Sequence, residues 1–247
     1  MFRTDQANRN TATHKSKIYD EKGDIDIQHR KTGTVKTTSK IFSHHCHDRF
    51  CPICVRKRSD HEYAMLYKVC SQIKDDHKGS IFLFLTTTVP NFAIDELGVK
   101  YKAYSKGNTR FLQSALFKNV KGWYRTTEIT KGRERGNNGK LLKNRVHLHW
   151  HWLLVVDKKY FKKENYITQD KWLDGCRKSY RDANIKILDI RMVKNLAQGL
   201  REVCKYIVKP GDFFDDVETF TKLDTFLHKK RFIAKGGVIK TLLCEAA

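Results

Sequence analysis

The chain has 247 residues, 40% of them apolar, enough for one large domain or one domain with a small appendage. Lys plus Arg number 49 against 27 Asp plus Glu, a net charge of +22 that exceeds what solubility requires and predicts a polyanionic partner, nucleic acid before an anionic membrane. No apolar run approaches a spanning helix and MFRTDQANRN carries no signal-peptide pattern. Seven cysteines, three of them clustered, then read as metal ligands plus free thiols in a reducing cytoplasm, not as a disulfide framework.

Residues 1–40 are polar and basic and are expected to be weakly structured, with one short strand around 34–38. Residues 41–78 hold Cys46, Cys51 and Cys54, the last two in a Cys-Pro-x-Cys turn that lets two thiolates grip one ion. Such sulfur-rich sites are usually closed, so a structural Zn²⁺ is expected. The spacing leaves its fourth ligand open among His29, His44, His45, His47 and His61. Arg56, Lys57 and Arg58 then head a helix to about Gln72, either as contacts to DNA phosphates or as a solvated helix face.

Residues 79–210 carry the main pattern. Ile81–Val89 is an apolar, β-branched run ended by Pro90 and reads as a central strand. A helix is predicted over about 93–120, interrupted near Gly107, and a second strand over 122–130 contains Glu128. The Gly- and Asn-rich stretch 131–140 is a hairpin loop; Arg133, Arg135, Lys143 and Arg145 make it and its exit basic. VHLHWHWLLVV, residues 146–156, alternates His147, His149 and His151 with Leu148, Trp150 and Trp152, a strand with imidazoles on one face and a surface that wants burial on the other. Thr168 is a candidate N-cap for a helix presenting Trp172, Leu173, Cys176 and Tyr180, and 185–193 reads as a fourth strand. A helix is predicted over 196–209, stopped by Pro210-Gly211. Residues 211–247 add a short helix near 219–227 and a strand near 238–242 that complete the domain.

The order strand, helix, strand, strand, helix, strand is the ferredoxin-like split βαβ pattern, an α+β fold with an antiparallel sheet and helices on one face. The hairpin brings Glu128 toward the imidazole face. A carboxylate with two imidazoles leaves open positions for a hard ion such as Mg²⁺ or Mn²⁺. On the helix predicted over 196–209, Glu202 and Tyr206 stand four apart on a polar face beside Lys205, a candidate nucleophile with a neighbouring base.

Together these residues amount to a family resemblance. HLHWHWLL holds the His-hydrophobic-His element and following apolar run that mark HUH endonucleases. FLTTTVPN (84–91), the CxxxxCPxC element and EVCKY (202–206) resemble the rolling-circle replication initiators of small bacterial plasmids, in that family's order. The resemblance implies a metal-dependent DNA nickase and strand transferase acting on plasmid origin DNA, single-stranded or hairpin-extruded, with host helicase and polymerase as partners, no membrane, and oligomers on DNA. It implies Tyr206 as nucleophile and Glu202 as the terminating acid, with His149, His151 and Glu128 around the catalytic ion. The basic residues Arg56, Lys57, Arg58, Arg133, Arg135, Lys143, Arg145 and Lys205 would bind DNA. Single-tyrosine HUH transposases and relaxases share the chemistry with a different layout, and a zinc-dependent DNA-binding regulator without catalysis is the alternative from another class. The family commonly has a further cysteine upstream that this sequence lacks, so a histidine is the expected fourth zinc ligand. His147 is an extra imidazole, either a further ligand or a DNA contact.

Overall fold

A computed structural model describes residues 46–205, 208, 213, 216–228 and 230–245, with the backbone alone at 17–19 and 40–42. Tyr206, His29, His44, His45 and the strand expected at 34–38 lie outside the described residues. Two compact units divide at Val55/Arg56. In the first, β1 (Lys17–Tyr19) pairs antiparallel with β2 (Lys40–Phe42), and the cysteine turn leads into α1 (Pro52–Asp76). Proline opens α1, where its missing N–H is not needed.

The second unit is built on β3 (Ser80–Thr88), β4 (Phe92–Ala93), α2 (Leu97–Leu112), β5 (Val120–Lys131), β6 (Arg145–Asp157), α3 (Gln169–Tyr180), β7 (Leu188–Met192), α4 (Leu196–Val203), α5 (Val217–Leu227), β8 (Ile233–Gly236) and α6 (Gly237–Glu245). The sheet order is β7-β3-β6-β5-β8, every neighbouring pair antiparallel, with β4 alongside the start of β6. The crossovers β3–α2–β5 and β6–α3–β7 each skip one strand, so the α+β split βαβ reading holds and β8 extends one edge.

Both faces of the sheet are covered, not one. Leu148, Trp150 and Trp152 point into a layer made with Phe111, Phe117, Trp172 and Tyr180 from α2, α3 and the turns beside them. The crossing is close at Gly107, where a Cβ would stand 3.0 Å from the Tyr180 backbone. On the other face Phe82, Phe84, Tyr124, Leu153 and Val155 bury against Leu66, Val69, Cys70 and Ile73 of α1, Leu200 and Val203 of α4, and Ile239 and Leu243 of α6. The cause lies in β6: from Trp152 onward both registers are apolar, so only its first half can leave a face polar.

Helix and strand limits differ from the sequence expectation at the end of α4 and near the last strand. α4 stops at Val203, eight residues after it starts, and Val208 forms a parallel bridge with Ile129. The β-branched pair at 207–208 and the pre-proline position 209 both disfavour continued helix. The helix carrying Glu202 thus ends at Val203, and the expected pairing of Glu202 with Tyr206 along one helix lies outside the described residues. The last strand is Ile233–Gly236, and the residues expected as strand, 238–242, lie in α6. The switch is made at Gly237, whose φ of 59° suits glycine and ends the pairing. Thr168 caps α3 as expected, its hydroxyl accepting from the Lys171 N–H. Among the described residues no helix is long and apolar enough to cross a membrane.

Candidate active site

Register sets the site. Glu128 lies opposite His149 on β5 and β6, and on the other side of β6 Thr88 faces His149 and Thr86 faces His151. Directly opposed residues of an antiparallel pair share a face, so two imidazoles, a carboxylate and two hydroxyls converge. His151 Nδ1 lies 3.2 Å from Thr86 Oγ1 and His149 Nδ1 3.1 Å from Thr88 Oγ1. These hydroxyls fix the ring orientations, the role that partners behind a metal ligand commonly play. The threonines of FLTTTVPN carry no role in the sequence pattern alone. The signal was their period-two spacing, which matches that of the histidines.

His151 Nε2 is 2.8 Å from Glu128 Oε2. Two lone pairs cannot face each other at that distance, so a proton or a cation must stand between them. Two cis ligands of an octahedral Mg²⁺ or Mn²⁺ stand about 3 Å apart, so the spacing fits either occupant. The His149 ring is nearly parallel to that of His151, 6.2 Å between centroids, and its Nε2 lies 3.4 Å from Thr130 Oγ1. The structure thus brings Glu128 and His151 into contact, with His149 as the adjacent ring. His147 packs edge-on to His149 at 4.1 Å and hydrogen-bonds the Val89 backbone.

Protonation states suit a cation. Burial favours the neutral form of Glu128, but the His151 hydrogen bond and the charges of the histidines and Lys205 prevail and hold it below the usual carboxylate range. Burial, reinforced by His147, pushes His149 down to about 4. At neutral pH the site therefore presents a carboxylate and a neutral His149 imidazole, the forms that bind metal. The His149 shift also makes stability depend on pH. The unfolded imidazole takes up a proton near pH 6.5 that the folded one refuses until about 4, so stability is complete above 6.5 and is lost as pH falls toward 4. The full effect is on the order of 3 kcal/mol. Urea unfolding without added divalent ion should show this loss, and His149→Gln should flatten it. A parent-like slope in that variant would assign the loss to another group.

The end of α4 is tied beside this site. Thr126, paired with His151, donates its hydroxyl to the Val203 carbonyl at 2.7 Å, and Ser59 of α1 donates to the Cys204 carbonyl at 2.5 Å. Glu202 is half-buried and ion-paired with Lys205. It lines a cleft of about 510 Å³ with Phe84, Arg191, Lys194 and Gln198, and the Phe84 ring packs 5.7 Å from His151. A second cleft of about 600 Å³, lined by Asn91, Thr130, Arg133, Leu142 and His147, opens at the hairpin end.

The predicted basic contacts spread around the clefts. Arg133, Arg135 and Lys143 are exposed on the hairpin, where Arg135 donates to the Gly139 carbonyl at 2.7 Å. Arg145 is half-buried and held by Glu134 at 2.7 Å. On α1 Arg56 is exposed 3.6 Å from Asp60, Lys57 is exposed and Arg58 is half-buried.

In the first unit the three thiols of Cys46, Cys51 and Cys54 lie within 4.8 Å of one another, and Cys46 Sγ is 3.6 Å from Cys54 Sγ. Two thiolates on a tetrahedral ion at about 2.3 Å are spaced about 3.8 Å apart, so the trio fits one zinc. Among the described residues it is the one group of three ligand atoms so close together. Burial works against the Cys46 thiolate, yet hydrogen bonds from the Asp48 backbone and the other two thiols leave its pKa below the ordinary value. Burial and the same thiols push Cys54 up to about 11. His47 turns through a φ of 56°, and its backbone hydrogen-bonds to the Cys54 sulfur. His61 lies in the second unit.

A family model described as "Replication protein" matches residues 39–246. The chain belongs to this replication protein family. It is 29% identical over 222 residues to a "Protein rep" of Streptococcus pneumoniae, covering 86% of this chain and 66% of that protein. It is 32% identical over 190 residues to a "Replication protein" of Staphylococcus aureus, covering 71% and 77%. The chain spans 66% and 65% of the length of the Streptococcus protein and of a "Protein rep" from Lactiplantibacillus plantarum. No solved structure matches significantly. The resemblance to plasmid replication initiators carried by the motifs is thus met at the level of the family.

Proposed function

We propose that this replication protein starts rolling-circle copying of a plasmid by nicking single-stranded or hairpin-extruded origin DNA at an HUH-type site. The observation that carries the reading is the Glu128–His151 contact at 2.8 Å, beside His149, with a pair of threonines behind the two rings. In the reaction the Tyr206 Oη attacks the scissile phosphorus. The bond from phosphorus to the 3′ oxygen breaks, Oη loses its proton, and a proton reaches the departing oxygen. The products are a 5′-phosphotyrosine and a free 3′-OH. The phosphotyrosine retains the energy of the broken ester for later transfer. His149, His151 and Glu128 would hold Mg²⁺ or Mn²⁺, which would supply charge stabilisation on the phosphate. For all three to share one ion, His149 must turn its Nε2 from Thr130 toward Glu128. Tyr206 stands two residues before Val208, which bridges Ile129 beside Glu128. That neighbourhood supports the nucleophile.

Glu202 takes the terminating role: it accepts a proton from water, or from a second DNA hydroxyl, as that oxygen displaces Tyr206. Its half-buried place in the cleft beside Phe84 supports this. Arg133, Arg135, Lys143 and Lys205 bind the phosphate backbone, so affinity should fall steeply with salt. The test is to mix the purified chain and Mn²⁺ with a single-stranded origin oligonucleotide. A covalent protein–DNA adduct is expected, and its absence sinks the reading. Glu202→Ala should nick at near-parent rate and fail to hydrolyse the final adduct; unchanged termination removes Glu202 from the mechanism.

The cysteine trio holds a structural zinc in this reading. Elemental analysis should find one zinc per chain that survives mild chelation and is lost in Cys51→Ser. Zinc-free protein would return the cysteines to free thiols.

A further inference from the structure

A second basic surface stands at the far end of the same sheet, where β5 begins and β6 ends. Asp157 is eight residues along β6 from His149, about 27 Å at ~3.4 Å per residue. The 3-10 turn Lys158–Phe161 and the residues after it present Lys158, Lys159, Lys162 and Lys163 to solvent. Lys118 and Lys121 line a cleft of about 480 Å³ together with Lys159. Asp157 is engaged by Lys121 at 3.1 Å and by the Lys159 N–H at 3.0 Å, and Glu164 is exposed.

Exposed rings stand among these lysines. Phe161 is 43% and Tyr166 49% exposed, their centroids 6.3 Å apart and their planes 31° from parallel. Buried Tyr160 packs against both, at 5.2 and 6.0 Å. Tyr160 is itself fixed, donating to the Ile167 carbonyl at 3.3 Å and accepting from Trp172 Nε1 at 3.0 Å. Asn165 donates to the Lys159 carbonyl at 3.1 Å and closes the turn. The rings are thus presented on a rigid base, with little ordering left to do on binding.

The chemistry selects the ligand. Lysines bind phosphates as point charges without reading sequence. Ring faces beside them match unpaired bases, which stack on aromatic side chains, whereas duplex bases already stack on one another. We propose that this surface is a separate binding site for single-stranded DNA without sequence preference. It rests on the chain handling DNA but not on nicking, and it uses none of the residues assigned to that reaction.

The test measures binding of the full chain to fluorescent dT15, which lacks the origin sequence, by anisotropy across a salt series. F161A/Y166A should weaken binding about tenfold or more and leave the salt slope unchanged. K158Q/K159Q/K162Q/K163Q, which changes exposed side chains alone, should flatten the slope of log affinity against log salt by about 3, at roughly 0.7 per lost contact. Both variants should still cleave a short origin oligonucleotide if the parent does. A parent-like slope in the glutamine variant overturns the proposal, as does a duplex of equal length that competes better than dT15. A chain that never nicks yet shows these two changes leaves the site standing and removes the nickase reading alone.

Discussion

Tyr206→Phe should bind single-stranded origin DNA as tightly as the parent and form no covalent adduct with it. The substitution removes one oxygen and keeps the ring, so contacts that depend on ring area survive while the attacking atom is gone. Loss of a nucleophile costs on the order of 10³-fold or more in rate, because the other groups have nothing to activate. The described tyrosines nearby are poor substitutes. Tyr124 is buried, donates to Glu62 at 2.7 Å, and is held in its neutral form by burial and the Glu62 charge. Tyr63 has Arg201 over its ring face at 4.7 Å and belongs to the rim of the core under α1. Tyr63→Phe should therefore cleave as the parent does. Denaturing electrophoresis of labelled oligonucleotide with each variant decides the matter. An adduct that persists in Tyr206→Phe means the nucleophile is another residue, and a lost adduct in Tyr63→Phe would point to it.

The site was legible where one periodicity governed it. Three histidines two apart gave β6 its register, and the hairpin placed Glu128 opposite His149 despite the long connection between them. That pairing survives because Lys131 and Val146 are already opposed where the strands part, so the loop beyond can vary without shifting it. What the sequence concealed were features decided by tertiary contacts. α1 reads as a basic helix from Arg56–Arg58, yet Leu66, Val69, Cys70 and Ile73 make it the cover of the histidine-bearing face. Residues 196–209 have helical spacing throughout, but pairing of Val208 with β5 outweighs local propensity and ends α4 early. The run at 238–242, Val-Ile-Lys-Thr-Leu, is too short for its period to tell strand from helix. Thr86 and Thr88 looked like ordinary strand threonines. Their contacts with the two imidazoles come only from the β3–β6 pairing, which joins residues more than sixty positions apart.

Glu128→Gln should cut Mn²⁺-dependent cleavage sharply at the Mn²⁺ level that saturates the parent, while leaving the fold and DNA binding near parent values. The amide keeps the size of the carboxylate and can still meet His151 Nε2, so the buried contact at 2.8 Å is preserved in shape. The negative charge is lost. Among the described residues Glu128 is the carboxylate hydrogen-bonded to His151, and Lys205 acts on both it and His149, so the loss of that charge leaves the neighbouring cation unopposed by it. A divalent ion bound by imidazoles and an amide should lose affinity by more than the 10–100-fold expected for a partner behind the ligands. Calorimetric Mn²⁺ titration of parent and variant tests this directly, and raising Mn²⁺ should recover part of the cleavage in the variant. Thr86→Val, which leaves the carboxylate intact and removes the hydroxyl behind His151, should give the smaller loss. Equal Mn²⁺ affinity in parent and Glu128→Gln would mean that Glu128 orients His151 instead of meeting the ion, and that the hard-ion site lies elsewhere on the histidine face.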